Sequence, residues 1–118
     1  MNAKTIRERF ERETGDRLTM HRIKMRGLTN FETLDAGKLE DKYGRFTIGV
    51  FTDAARARRE RFLREPAEPD EHGVGWEQGE DGWIATKVYD GGVQLQWFAE
   101  ERALDERWQL LDRVLAAS

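Results

Sequence analysis

Apolar residues recur along this chain with two different periods, and the period separates helix from strand. Ala3, Ile6 and Phe10 recur at helical spacing among charged residues, which predicts a helix from about Ala3 to Thr14, stopped by Gly15. Its apolar stripe is thin, so it lies on the surface of something larger. From Leu18 to Met25 the pattern loosely alternates and reads as a strand, with either Leu18 and Met20 or His21, Ile23 and Met25 turned inward. Residues 26 to 44 are the least regular stretch, punctuated by Gly27, Asn30, Gly37 and Gly44, with room for a single helical turn carrying Leu39 and Tyr43.

Arg45 to Phe51 reads clearly as a strand, because Phe46, Ile48 and Val50 alternate with Thr47 and Gly49. Thr52 or Asp53 then caps a predicted helix running to about Arg64 and stopped by Pro66, with Ala55 and Phe62 on one side. Glu65 to Gly73 holds both prolines and reads as an exposed connector. Val74 to Glu77 is a further short strand. Asp90-Gly91 sits between two alternating runs, and as a two-residue turn it sets a hairpin register in which Val88 faces Val93, Thr86 faces Leu95 and Ile84 faces Trp97. The last helix, about Ala103 to Ala116, buries Leu104, Trp108, Leu111 and Leu115, with Val114 beside them.

The expected order is helix, strand, strand, helix, three strands, helix. Hairpin-linked strands with helices set apart from them predict an α+β fold: an antiparallel sheet of about five strands with helices mainly on one face and the other partly open to water. A length of 118 residues fits one domain, residues 1–118. No stretch approaches the roughly 18 apolar residues of a membrane-spanning helix, and the start lacks the apolar run of a signal peptide, so the expected location is cytoplasmic.

Charge adds an asymmetry that the formal total of −3 hides. Residues 1–64 hold 16 basic against 10 acidic side chains, net +6, while residues 65–118 hold 4 against 13, net −9. The switch falls at Glu65, where Arg56, Arg58, Arg59, Arg61 and Arg64 give way to acids that no base interrupts until Lys87. Two halves of opposite charge can attract each other within one fold; the functional alternative is a bipolar surface that orients a partner or a second copy of itself. It argues against nucleic acid, since the five arginines scatter around their predicted helix and the aromatics belong to the acidic half.

The inventory for catalysis is short. Cys is absent, the only Ser is Ser118, and the two His, His21 and His72, lie far apart in the sequence. Glu68, Asp70, Glu71 and His72 form the one metal-like cluster, but their spacing matches no calcium loop and reads as solvated connector. Gly73-Val74-Gly75 lacks the following helix and Lys-Ser/Thr of a phosphate loop. No catalytic residue, metal or cofactor is therefore expected.

What remains is the hairpin side opposite its hydrocarbon face. There Trp83, Lys87, Tyr89, Gln94, Gln96 and Phe98, with Trp76 on either face according to register, mix large rings with amide and amine groups, as binding surfaces do. If the first helix or residues 26–44 cover this face, its aromatics are ordinary core; if it is open, the expected use is capture of a protein partner or self-association. The alternative is a small-molecule pocket between the sheet and the last helix, lined by Trp76, Trp97 and Trp108.

Leu39-x3-Tyr43-Gly44-x-Phe46-x-Ile48-x-Val50, Gly73-Val74-Gly75-Trp76-Glu77, Trp83-x-Ala85-x-Lys87-x-Tyr89, Val93-x-Leu95-x-Trp97 and Trp108-x2-Leu111-x2-Val114-Leu115 together resemble a group of small proteins of GC-rich actinobacteria. The likeness runs over about residues 5 to 117. It implies a shared α+β fold, since the matching positions are apolar faces and turns, and it implies no catalytic residue.

Overall fold

Asn2 opens the first helix by accepting, through its side-chain oxygen, the backbone N–H of Thr5 at 2.8 Å, and Gly15 closes it in the left-handed region at φ 80°. The computed structural model describes residues 2–25, 28–51, 68–89 and 92–116. Helix α1 spans Ala3–Thr14, and strands β1 and β2 span Thr19–Met25 and Leu28–Asp35. A 3-10 turn at Gly37–Leu39 runs into the one-turn helix α2, Glu40–Tyr43. Strands β3 to β6 are Arg45–Val50, Val74–Gln78, Trp83–Tyr89 and Val93–Ala99, and helix α3 is Glu106–Ala116. The helix expected over residues 52–64 lies outside the described residues.

The strands form one antiparallel sheet in the order β1-β2-β3-β6-β5-β4. The α+β class and the antiparallel sheet agree with expectation. The strand count does not: there are six, because Leu28–Asp35 in the irregular stretch pairs with both β1 and β3. Its signal was weak for a physical reason. Asn30, Glu32 and Asp35 interrupt the apolar alternation, and Leu34 carries the packing on the core side at 0% exposure.

Cross-strand partners share a face, so the register sorts the side chains. Leu34, Phe46, Ile48, Val50, Val93, Leu95, Trp97 and Ala85 form one layer. Ile6 and Phe10 of α1 and Trp108, Leu111, Val114 and Leu115 of α3 bury themselves on it as one core. Met20 of β1 shares this side with Leu34 but stays 36% exposed at the sheet edge, and His21 faces the other way, 3.1 Å from Asp35.

The hairpin register differs by one residue from the expected two-residue turn. Tyr89 pairs with Val93, Lys87 with Leu95 and Ala85 with Trp97, leaving three residues, 90–92, between the paired ends. Gly92 takes the positive φ of 83°, and a three-residue connection ending on a left-handed glycine is a favoured alternative to the two-residue turn. A one-residue slip reverses every side chain of β5. Ile84, Thr86 and Val88 therefore face away from the helices, while Trp83, Ala85, Lys87 and Tyr89 face them.

The second face is not open at its centre. Thr33, Thr86, Gln94 and Gln96 are all at most 4% exposed there, which corrects the expectation of a wet outer surface in the middle of the sheet.

Gly44 is a tight joint between α2 and the sheet. Its backbone (φ 86°, ψ 173°) is one that glycine alone adopts readily, and a Cβ would sit 2.9 Å from Cη2 of Trp97. Gly15 has positive φ too, but a Cβ there would meet nothing within 4 Å. Gly15→Ala should cost about 1 kcal/mol, the left-handed strain alone, whereas Gly44→Ala should cost about 3 kcal/mol once overpacking against the indole is added. Urea unfolding of the two variants checks this; equal costs would mean that Trp97 does not press on Gly44.

Candidate functional site

The register shift divides the residues expected to share a binding face. Trp76 and Trp83 lie on the helix side, at the corner of β4 and β5. Lys87 and Tyr89 lie on that side too, farther along β5. Gln94 and Gln96 lie on the opposite side, buried, and among the described residues the Gln94 amide and the Gln96 amide nitrogen find no hydrogen-bond partner. Phe98 is also on that side, half-buried under the Arg45 guanidinium at 4.9 Å. The seven residues do not form one surface.

Lys87 and Tyr89 are occupied. Lys87 Nζ donates to Oδ1 of Asp112 at 2.9 Å, and Tyr89 Oη donates to the same oxygen at 2.6 Å, tying β5 to α3. Burial pushes the Asp112 carboxyl up, but the two hydrogen bonds and the lysine charge outweigh it and hold the group below the usual carboxylate range. The Tyr89 phenol is pushed well up by burial and then by its bond to Asp112, so it stays a donor. A matching tie serves α1: Tyr43 Oη and Lys42 Nζ both donate to Oδ2 of Asp16, which they hold low, the phenol bond first. One tie pins α3 to β5, and the other joins the turn after α1 to α2.

The tryptophans expected to line a pocket pair off. Trp97 and Trp108, 2% and 3% exposed, meet edge to face at 6.2 Å and 81°, a filled contact rather than a cavity between sheet and helix. Trp76 meets Trp83 instead, at 6.5 Å and 83°. Both of these rings are half-buried.

The open space lies at the end of the sheet where β6 gives way to the loop before α3. Two clefts of about 580 and 570 Å³ share Arg45, Phe98, Ala99 and Glu100 as a common wall. The first runs toward α2 and α3, past Glu40, Asp41, Glu101 and Asp105, with Arg107 opposite and Trp97 at its floor. The second runs toward the β4–β5 turn, past Glu80, Asp81 and Trp83. Among the described residues acids outnumber bases in both clefts. Asp105 also caps α3, accepting the backbone N–H groups of Arg107 and Trp108 at 2.9 and 3.2 Å.

Arg102, in the same loop, is the feature that sequence reading missed. Its guanidinium carbon sits 5.9 Å from the Trp76 ring centroid and 5.3 Å from that of Trp83. The signal was present: Arg102 is the one base between Lys87 and Arg107. Asp70, read as part of a metal-like cluster, accepts instead the backbone N–H groups of His72 and Val74, at 2.8 and 3.0 Å. Those bonds, the one from Val74 foremost, outweigh burial and hold its carboxyl low, with a further pull from the charge of Arg102.

Among the described residues no helix is long and apolar enough to cross a membrane. Comparison with protein-family models, with curated proteins and with solved structures finds no match to this chain.

The depressed Asp112 carboxyl fixes the sign of one pH effect. A carboxyl lower in the folded than in the unfolded chain stabilises the fold above its unfolded value, about 4, and that stabilisation is lost as pH falls through the lower folded value. Asp112→Asn should therefore lower the melting temperature at neutral pH and flatten its decline between about pH 5 and pH 2. Differential scanning calorimetry across that range checks this; a variant with the parent's full acid dependence would show that the tie carries no linkage.

Proposed function

We propose that this chain is a non-catalytic interaction module, which binds a protein partner or a second copy of itself through the acidic, aromatic-lined end of its sheet. The observation that carries the reading is the convergence at that end of two acid-rich clefts with the half-buried pair Trp76 and Trp83. Half-buried aromatic anchors ringed by charge are the usual composition of a protein-binding surface. The basic half of the sequence offers the complement, which makes a second copy the simplest partner. The residue inventory supports a binding role over catalysis, since the conspicuous Lys, Tyr and Asp side chains are spent on structural ties, α3 to β5 and α2 to the turn after α1.

A small-molecule ligand is the second reading, favoured by the cleft beside α3. Trp97 lines that cleft, and its indole N–H finds no acceptor among the described residues.

Association between an acidic end and a basic one weakens with salt, because the Debye length shortens from about 14 Å at 50 mM to about 4 Å at 500 mM. Sedimentation velocity at micromolar to submillimolar concentration should show a dimer that dissociates between those two salts. A strict monomer, indifferent to concentration and salt, would overturn self-association.

A further inference from the structure

The corner formed by Trp76, Trp83 and Arg102 has the form of a site with its ligand already in it. Two perpendicular indoles present their rings to one guanidinium, which lies within 6 Å of both centroids. Asp70, in the stretch that leads into β4, is a carboxylate fixed in place by two backbone N–H groups, and the Arg102 charge adds a small pull on it. A planar cation held over two aromatic rings is the arrangement that suits arginine better than lysine.

Arg102 itself is poorly secured. Its side chain is exposed, and it sits on the short loop between β6 and α3, where the adjacent backbone bond is that from Ala103 N–H to the Glu101 carbonyl at 2.8 Å. A contact between an exposed guanidinium and a ring contributes only a weak attraction. Swinging one side chain outward leaves two half-buried tryptophans in acidic surroundings, with Glu100 and Glu101 adjacent and no other base between Lys87 and Arg107.

We propose that this corner receives an arginine side chain from a basic segment of a partner protein, and that Arg102 is the resident which the incoming arginine displaces. The inference rests on the interaction-module reading and adds the partner's chemistry. Arg102 acts as a built-in competitor: it keeps the indoles covered when no partner is present and lowers the apparent affinity by the fraction of time it holds the site.

The test uses the full chain and an acetylated, amidated Gly-Arg-Arg-Gly peptide, followed by the tryptophan indole N–H signals in NMR and by fluorescence. If Arg102 fills the corner about nine-tenths of the time, Arg102→Ala should bind the peptide roughly tenfold more tightly than the parent. Arg102→Lys should fall between them. The moving indole signals should be those of Trp76 and Trp83, with Trp97 and Trp108 still, and a Gly-Lys-Lys-Gly peptide should bind more weakly. Because Arg102 is exposed, its replacement leaves the core intact, and the shifts in the parent chain provide a reading that needs no variant. Equal affinity of the parent and Arg102→Ala, equal binding of the lysine peptide, or shifts confined to Trp97 and Trp108 would each overturn the arginine site. Failure to bind peptide alongside intact salt-sensitive self-association would sink this inference and leave the interaction reading standing. A strict monomer that binds the peptide would support the arginine site and remove self-association alone.

Discussion

The fold turns on where Trp97 is put. It stands in a central strand and shares a row with Phe46 on one side and Ala85 on the other. Above it the edge of Trp108 fixes α3, and at its far end the indole fills the space that a side chain at position 44 would need. A large flat ring in the middle of a sheet demands small neighbours and a shaped cover, because interiors are packed without voids. Ala85 and Gly44 are the small neighbours, and α3 is the cover. Once Trp97 faces the helices, the register of β5 against β6 follows, and with it the side on which Trp83, Lys87 and Tyr89 emerge.

Around that centre the helices are tied by polar contacts of one kind. Each tie sets a tyrosine hydroxyl and a lysine ammonium on a single carboxylate oxygen: Asp16 for α1 and Asp112 for α3. Both tyrosine rings belong to the core, while Lys42 reaches outward and Lys87 stays mostly covered. This division leaves the β4–β5 corner different in kind. Its rings are half-buried, its cation comes from a loop rather than an element, and the acids around it belong to the turns at the sheet's end.

Much of the fold was legible in the sequence, because periodicity and caps report local physics. Helix α1 ends where Thr14 meets Gly15, strand β3 alternates Phe46, Ile48 and Val50 as read, and the buried residues of α3 include Trp108, Leu111, Val114 and Leu115. Strand β2 was not legible, since Asn30, Glu32 and Asp35 break its alternation and its place is set by neighbours on both sides. The hairpin register was misread because Asp90-Gly91 and Gly92 offer two adjacent turns, and the choice between them is made by long-range packing of Trp97 and Tyr89. Of the candidate surface, Trp76 and Trp83 kept company, while Gln94 and Gln96 went to the far side. Arg102 escaped notice because its partners are distant in sequence and adjacent only in the folded sheet.

The central claim is that the half-buried tryptophans of the β4–β5 corner stand among acids, with Arg102 as the cation held against them. Two of the four, Trp97 and Trp108, are only 2% and 3% exposed, so collisional quenching reads mainly Trp76 and Trp83. The direct measurement compares caesium with iodide at low ionic strength, each normalised to free N-acetyltryptophanamide. The account predicts that caesium quenches the protein more efficiently than iodide and that the gap closes at high salt. Iodide quenching equal to or stronger than that of caesium would contradict it.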